Sequence, residues 1–245
     1  MKRHSTAWPA PSAARSSSRP SARRGARPRR RRGGSFISIL PACIARSIGT
    51  VQTPASSPAI PLHQGDLWVF GYGSLIWRPG FAHASRHPAL LRGFHRRFCL
   101  WSHRYRGTPE APGLVLGLDR GGACRGVAFR VPGGAAAAVL QYLDDRELPD
   151  GAEVVYHRRL LPVRLLDAPG AAPVMAVTYV ANRLCRLYVR DLGPEAMAGA
   201  IARGVGQMGA NRDYLLNTLG HLAAMGVRDA GLARIAALLP PAAPV

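Results

Sequence analysis

The 245-residue chain has little acidic charge and almost no lysine. Lys2 is its only lysine, and 33 Lys and Arg residues against 13 Asp and Glu give a formal net charge of +20. An arginine excess of this kind has two interpretations. Arginines release counterions from phosphate, which would suit a nucleic-acid partner. Alternatively, the excess reflects a GC-rich coding sequence, since Ala, Gly and Pro are also abundant, and we favour this second interpretation.

The first 62 residues contain no acidic residue at all. They contain 12 Lys and Arg, including the run from Arg29 to Arg32, and so supply +12 of the +20. Such a segment is too charged and too poor in large apolar side chains to offset the entropy of ordering. We therefore expect residues 1–62 to be a disordered basic extension. No aromatic side chains alternate with its arginines as a base-stacking platform requires, so we do not expect nucleic acid as the main partner.

Long hydrophobic runs are also missing. The apolar segment of the extension, Phe36 to Ala45, is interrupted by Pro41 and has only ten residues, too few for a helix that spans a bilayer. After a basic run it could instead belong to a targeting sequence within residues 1–62. No other segment is long and apolar enough to span a membrane. We expect a cytoplasmic protein without a membrane partner, with targeting as the alternative.

Cysteine is scarce, and no CxxC motif is present. The four cysteines are far apart, as expected of reduced thiols in a cytosolic protein: Cys43, Cys99, Cys124 and Cys185. His95, Cys99 and His103 are spaced by four residues, which on a helix would form one metal-binding face. However, Phe98 and Leu100 favour a strand, where residues four apart stand about 13 Å from each other. We therefore expect no metal site here.

The order of predicted elements favours an α+β fold, because strands dominate the first part and helices the second. A small mixed β-barrel flanked by helices, over residues 66–240, accommodates this order best. The predicted strands are Asp66–Phe70, Ala89–Trp101 with a break at Gly93, Gly113–Asp119, Arg125–Val131 after a Gly121-Gly122 turn, Glu153–Val163 and Val174–Val180. The predicted helices are Ala135–Arg146, Pro194–Gly204, Asn211–Met225 and Ala230–Leu239.

The stretch VFGYGSLIW at Val69 to Trp77 matches none of the common nucleotide-binding and hydrolase motifs, which limits the functions it could have. A dinucleotide fingerprint would need a third glycine and a later acidic residue. Ser74 is not followed by glycine as in G-x-S-x-G, so we do not expect it to be a nucleophile. Gly71 and Gly73 would let main-chain N–H groups hold a carboxylate or an oxyanion. The alternative is a bulge that lets a barrel curve.

The second candidate is Glu147, at the end of the first predicted helix. It lies four residues after Leu143, so it continues the apolar face of that helix. A carboxylate on an apolar face is costly to ionise, which raises its pKa and suits it to proton transfer. The alternative is a solvated helix end.

Four segments together resemble the ChaC-type γ-glutamylcyclotransferases. They are VFGYGSLIWRP at Val69 to Pro79, RGVAFRVP at Arg125 to Pro132, YLDDRE at Tyr142 to Glu147 and GQMGANRDYLLNTLGHL at Gly206 to Leu222. The resemblance implies a small mixed β-barrel with surrounding helices. It also implies cleavage of a γ-glutamyl amide to 5-oxoproline, mainly in glutathione with release of cysteinylglycine, and no cofactor. Another γ-glutamyl amine or peptide is the alternative substrate, and the oligomeric state is left open.

The resemblance also assigns roles to residues. Glu147 would be the catalytic acid and base, and Tyr214 a further substrate contact. The γ-glutamyl-binding loop would consist of Tyr72, Gly73, Ser74 and Leu75.

Overall fold

The computed structural model describes residues 65–148 and 153–241. The expected basic extension, and any role in nucleic-acid binding or targeting, therefore lies outside the described residues. The strands are β1 Leu67–Gly71, β2 Ser85–Ser102, β3 Gly113–Val131, β4 Tyr156–Leu165, β5 Val174–Ala181, β6 Val205–Gly206 and β7 Gly209–Ala210. The helices are α1 Ala136–Glu147, α2 Pro194–Arg203, α3 Asn211–Ala224 and α4 Ala230–Ala237, and 3-10 turns occur at Ser74–Ile76 and Gly133–Ala135.

Five strands close into a barrel in the order β1, β3, β2, β4, β5. The closure is the parallel pairing of β1 with β5, in which Val69 lies opposite Val177. On its other side β1 pairs antiparallel with β3, and Val69 lies opposite Phe129. The predicted mixed α+β barrel is confirmed.

The long strand β3 corrects one prediction. Gly113–Asp119 and Arg125–Val131 are not two strands separated by a turn but the two ends of one continuous strand. Gly121 and Gly122 have φ values of +95° and +68°, and Gly93, at a register shift of the partner strand β2, has +84°. These left-handed positions bend the paired strands without reversing the chain. The predicted break at Gly93 is thus a bulge. Gly121 and Gly122 resemble a turn in the sequence because a sharp bend of a strand needs the same left-handed backbone as a turn.

The hydrophobic core extends from the barrel to the helices. Fully buried side chains come from every barrel strand and from three helices. Large examples are Phe70, Phe98, Phe129, Leu91, Leu100, Leu114, Leu116, Leu118, Leu143, Ile201 and Leu215, and β4 contributes Val163. In β5 the buried residues are smaller, such as Val177. Within the described residues, no helix is long and apolar enough to cross a membrane.

The strand prediction for His95 and Cys99 is confirmed, since both lie in β2, and His103 follows its end. The helical face needed for a metal site therefore does not exist. In the described ranges, no three His, Cys, Asp or Glu side chains are placed to hold a metal ion.

Candidate active site

The loop after β1 depends on two glycines for close packing. A Cβ on Gly71 would lie 2.9 Å from the Leu75 Cβ, and a Cβ on Gly73 would lie 3.1 Å from the Tyr214 hydroxyl. Gly73 has φ −126°, so it is not required by a left-handed backbone. The glycines are needed because other side chains approach the backbone closely, and the binding of an anion by the loop amides stays a prediction.

The chain turns from this loop directly into a 3-10 helix. The Ile76 amide donates to the Gly73 carbonyl at 2.9 Å, and the Arg78 amide donates to the Ser74 carbonyl at 2.8 Å. A helical turn leaves its first amide N–H groups without an intrahelical acceptor. The amides of Ser74 and Leu75 begin this turn, so they can donate to a ligand in front of the loop.

Arg96 anchors the loop through a backbone carbonyl, and the local sequence pattern gave no indication of this role. This β2 side chain is only 3% exposed. Its Nη1 donates to the Tyr72 carbonyl at 2.7 Å, and its Nε donates to Asp229 Oδ2 at 3.2 Å. Asp229 also caps α4, since its other oxygen accepts from the Leu232 amide at 3.1 Å. One partly buried ion pair therefore connects the loop to the helix α4.

Glu147 reaches the same region from α1. It is the last residue of the helix, one turn after the fully buried Leu143. Its carboxylate is 21% exposed, and Arg146 Nε lies 3.1 Å from Oε1. Burial raises the pKa of Glu147, and the positive charge of Arg146 offsets only part of this effect.

Arg146 connects the end of α1 to the glycine loop. Its Nη2 donates to Ser74 Oγ at 2.8 Å, and its Nη1 donates to the Arg78 carbonyl at 3.0 Å. Because the same side chain pairs with Glu147, it keeps the carboxylate beside the loop. Ser74 Oγ is thus a hydrogen-bond acceptor for an arginine, which supports its predicted non-nucleophilic role.

All six site residues predicted from the sequence line one cavity. The cavity has a volume of about 350 Å³, which includes its opening to solvent. Glu147 and Tyr214 line it together with the loop residues Tyr72, Gly73, Ser74 and Leu75. The other lining residues, which the sequence did not indicate, are Phe70, Leu116, Tyr156 and Tyr179. The structure brings the candidates together, and their individual roles stay predictions.

Three of the four cavity tyrosines donate their hydroxyl protons to groups of the protein. Tyr72 donates to the Tyr179 carbonyl at 3.0 Å, and Tyr156 donates to the Leu116 carbonyl at 2.7 Å. Tyr179 donates to Asp144 Oδ1 at 2.8 Å. Asp144 also pairs with Arg158, so it joins α1 to β4 and β5. The sequence offers only a weak signal for Tyr156 and Tyr179. Each is a tyrosine in a strand, at a position whose side chain faces the cavity.

Tyr214 differs from the other three tyrosines. Unlike those of Tyr72, Tyr156 and Tyr179, its hydroxyl donates no hydrogen bond to a described residue. Burial, followed by the charge of Glu147, raises the pKa of Tyr214 to about 12. The hydroxyl is therefore protonated at neutral pH and can donate to a ligand in the cavity.

The cavity is suited to proton transfer and not to covalent catalysis. Its groups are a carboxylate with a raised pKa, a tyrosine O–H donor and backbone amides. The nearby thiols are poor nucleophiles, because burial raises the pKa of Cys99 to about 12 and that of Cys124 to about 11. The fold and the cavity define a small mixed β-barrel protein whose candidate site contains a half-buried carboxylate.

A sequence profile of the family described as ChaC-like protein matches residues 67–240. The chain belongs to this family, which confirms the resemblance. It is 37% identical over 172 residues to the human "Glutathione-specific gamma-glutamylcyclotransferase 1", covering 68% of this chain and 76% of the human protein. It is 32% identical over 196 residues to the Escherichia coli K12 "Glutathione-specific gamma-glutamylcyclotransferase", covering 80% of each chain.

A solved structure shows the same fold. The crystal structure of a γ-glutamyl cyclotransferase specific to glutathione from yeast superimposes with a TM-score of 0.63 and 24% identity. The superposition covers 71% of this chain and 97% of the yeast chain, so the barrel and its helices are shared almost throughout the yeast protein.

Proposed function

We propose that this protein is a γ-glutamylcyclotransferase that converts glutathione to 5-oxoproline and cysteinylglycine. The observation that carries the proposal is the half-buried carboxylate of Glu147, which lines the same cavity as the Tyr72–Leu75 loop. The names of the human and Escherichia coli relatives support glutathione as the substrate. The scattered thiols, of which Cys99, Cys124 and Cys185 are free, support a cytoplasmic location.

The reaction needs one proton acceptor that later becomes a proton donor. Glu147 takes a proton from the α-ammonium group of the γ-glutamyl moiety, and the freed amine attacks its own γ-carbonyl carbon. The tetrahedral oxyanion accepts hydrogen bonds from the Tyr214 O–H and from loop amides. When it collapses, the bond from the γ-carbon to the cysteine nitrogen breaks. Glu147 gives its proton to the leaving nitrogen as this bond breaks. It then takes the second proton from the ring nitrogen and passes it to the released amine, so two protons move in all and no water is consumed.

The electrostatics of the cavity suit this cycle. A carboxylate whose pKa is raised by burial is closer in proton affinity to the amine than an exposed one. The attack is intramolecular, so the protein has only to keep the substrate folded back on itself. A narrow cavity lined by glycine backbone on one side and tyrosines on the other favours such a folded conformation.

The proposal is tested by incubating the purified protein with glutathione. Chromatography should show 5-oxoproline and cysteinylglycine in equal amounts, without free glutamate. Parallel reactions with γ-glutamyl dipeptides and γ-glutamyl amines test the alternative substrates. Release of glutamate would contradict cyclisation, and absence of any product from all these substrates would refute the proposed function.

The activity should depend on pH through Glu147. Because burial raises the pKa of this carboxyl group, kcat/KM on glutathione should fall as the pH is lowered through that raised pKa, where the base becomes protonated. The stability should change in the opposite sense. The folded protein holds this proton more tightly than the unfolded chain, so the carboxyl contributes a loss of stability as the pH rises above the ordinary glutamate pKa.

A pH series of initial rates and melting temperatures measures both effects. The control is Asp145→Asn, which removes an exposed carboxylate of the same helix. If Glu147 causes the fall in rate at acidic pH, this variant should show the fall at the same pH as the wild type. A wild-type rate that is independent of pH below neutrality would contradict the assignment.

Replacing Ser74 by Ala should have a small effect. The variant loses the hydrogen bond from Arg146 Nη2, which contributes on the order of 1 kcal/mol, while the backbone amides and the other anchor of Arg146 remain. We expect kcat/KM to fall about fivefold. Steady-state kinetics with a Ser74→Cys companion test this, because a nucleophilic role would instead abolish turnover in the alanine variant.

A further inference from the structure

Arg106 lies beside the cavity, on the chain segment that follows β2. This segment runs along the β6–β7 hairpin, where the Met208 amide donates to the Tyr105 carbonyl at 2.9 Å. The guanidinium carbon of Arg106 lies 4.8 Å from the centre of the Tyr214 ring. Its Nη1 donates to the Met208 carbonyl at 2.5 Å and to the Ala210 carbonyl at 3.4 Å. The side chain is thus held in place against a residue of the cavity wall.

This arginine has no carboxylate partner, unlike Arg96 and Arg146, the two arginines that contact the glycine loop. Arg96 pairs with Asp229, and Arg146 pairs with Glu147. Arg106 forms no ion pair with any described residue, although it is partly buried and therefore poorly hydrated. A guanidinium has five N–H donors, and the two carbonyls engage only one of its nitrogens. Donors remain for an anion.

The charges around Arg106 favour an anionic ligand. Burial lowers the pKa of Arg106, and the positive charge of Arg78 lowers it further, since the two cations act on each other. Asp213 of α3 acts in the opposite direction but forms no ion pair with Arg106. A carboxylate bound here would relieve both the incomplete solvation and the repulsion between the arginines.

The position of Arg106 indicates which end of a substrate it would meet. The Tyr214 hydroxyl lies against Gly73, where a Cβ would be 3.1 Å away, and Arg106 stacks on the ring of the same tyrosine. The tyrosine ring therefore separates Arg106 from the glycine loop. A γ-glutamyl peptide with its γ-carbonyl at the loop and Glu147 would extend its other end along this ring.

We propose that Arg106 binds the distal carboxylate of a γ-glutamyl peptide, and thereby selects peptides with a free C-terminus over γ-glutamyl amines. The inference rests on the proposed function, because it takes the γ-glutamyl group to be held at the Tyr72–Leu75 loop. Arg78 contributes positive potential but remains exposed. The contact would be a charge-assisted hydrogen bond, which Arg can make with both oxygens of a carboxylate.

The test compares glutathione with its C-terminal carboxamide, which is the same peptide without the distal charge. The kcat/KM of the wild-type protein should be about tenfold to hundredfold lower on the amide. In Arg106→Gln, kcat/KM on glutathione should fall by a similar factor, while kcat/KM on the amide should change little. The ratio of the two values should therefore approach one. Arg106→Lys should keep part of the preference because it keeps the charge.

The matched control is Arg104→Gln. Arg104 lies two residues away and also stacks on a tyrosine, with its guanidinium carbon 5.5 Å from the Tyr105 ring, but it does not contact the cavity wall. We expect this variant to keep the wild-type preference. A structural role for the hydrogen bonds to Met208 and Ala210 would lower activity on both substrates equally in Arg106→Gln.

Three results would overturn the inference. They are a wild-type protein that does not discriminate against the amide, an Arg106→Gln variant that keeps the full preference, and an Arg104→Gln variant that loses it equally. A wild-type protein that turns over neither peptide would overturn the proposed function as well, so the two failures are distinguishable.

Discussion

Replacing Glu147 by Gln is expected to reduce kcat/KM on glutathione by about 10³- to 10⁴-fold. In the proposed reaction this one carboxylate removes the proton from the attacking amine and returns a proton to the leaving amine, and each such transfer contributes a large factor. The amide of Gln keeps the size of the side chain but accepts no proton at neutral pH. The loop, the tyrosines and the cavity remain in place, so substrate binding should change much less than turnover.

Two measurements support the interpretation of this variant. Single-turnover rates and thermal melting distinguish a chemical defect from unfolding, and the variant should melt at or above the wild-type temperature at neutral pH because it lacks a carboxylate that burial disfavours. Asp145→Asn, the exposed neighbour on α1, serves as the control and should keep nearly full activity. A Glu147→Gln protein with more than a tenth of wild-type turnover would contradict the assigned role.

Replacing Arg96 by Met should cause the largest loss of stability among the substitutions considered. The variant leaves the Asp229 carboxylate without its cation, and it removes the guanidinium donor from the Tyr72 and Arg125 carbonyls. Removing one partner of a fully buried pair costs about 3–5 kcal/mol, and because Asp229 is partly exposed we expect a loss near the lower end, about 3 kcal/mol. Urea denaturation followed by circular dichroism should show this loss in the free energy of unfolding. Activity should fall too, because the Tyr72 carbonyl anchors the loop.

Two further variants separate this effect from a general sensitivity of β2. Arg92→Met, at an exposed position of the same strand, should stay within about 0.5 kcal/mol of the wild type. Combining Arg96→Met with Asp229→Asn removes both charges while keeping an oxygen to cap α4. The double variant should be less destabilised than the sum of the single variants. Strict additivity would show that the pair does not act as a unit.

The prediction of the barrel succeeded because most of its elements carry local patterns. Each end of β1, β5 and the four helices lies within two residues of its predicted position. The failure occurred at Gly121 and Gly122, where a glycine pair typical of a turn instead bends the long strand β3 opposite Gly93. A local pattern indicates that the backbone departs from a regular strand there, but not whether the chain then reverses.

The candidate site shows a similar division. Glu147 was accessible to sequence reasoning because its spacing from Leu143 places both on one helix face. The loop glycines were accessible because glycine in a strand pattern indicates close approach. Tyr156 and Tyr179 were not, since each belongs to a strand whose inward face leads into the cavity only after the barrel has closed.

The sequence by itself determined the type and order of most elements, the glycine loop and the placement of a carboxylate on an apolar helix face. Each of these depends on residues within a few positions of one another. Only the tertiary structure decided how the barrel closes and what holds the loop. The pairing of β1 with β5 and the contact between Arg96 and Asp229, which are 133 residues apart, depend on packing across the whole fold. Partners at such separations leave no periodic trace in a single chain, because their distance along it is set by the elements between them.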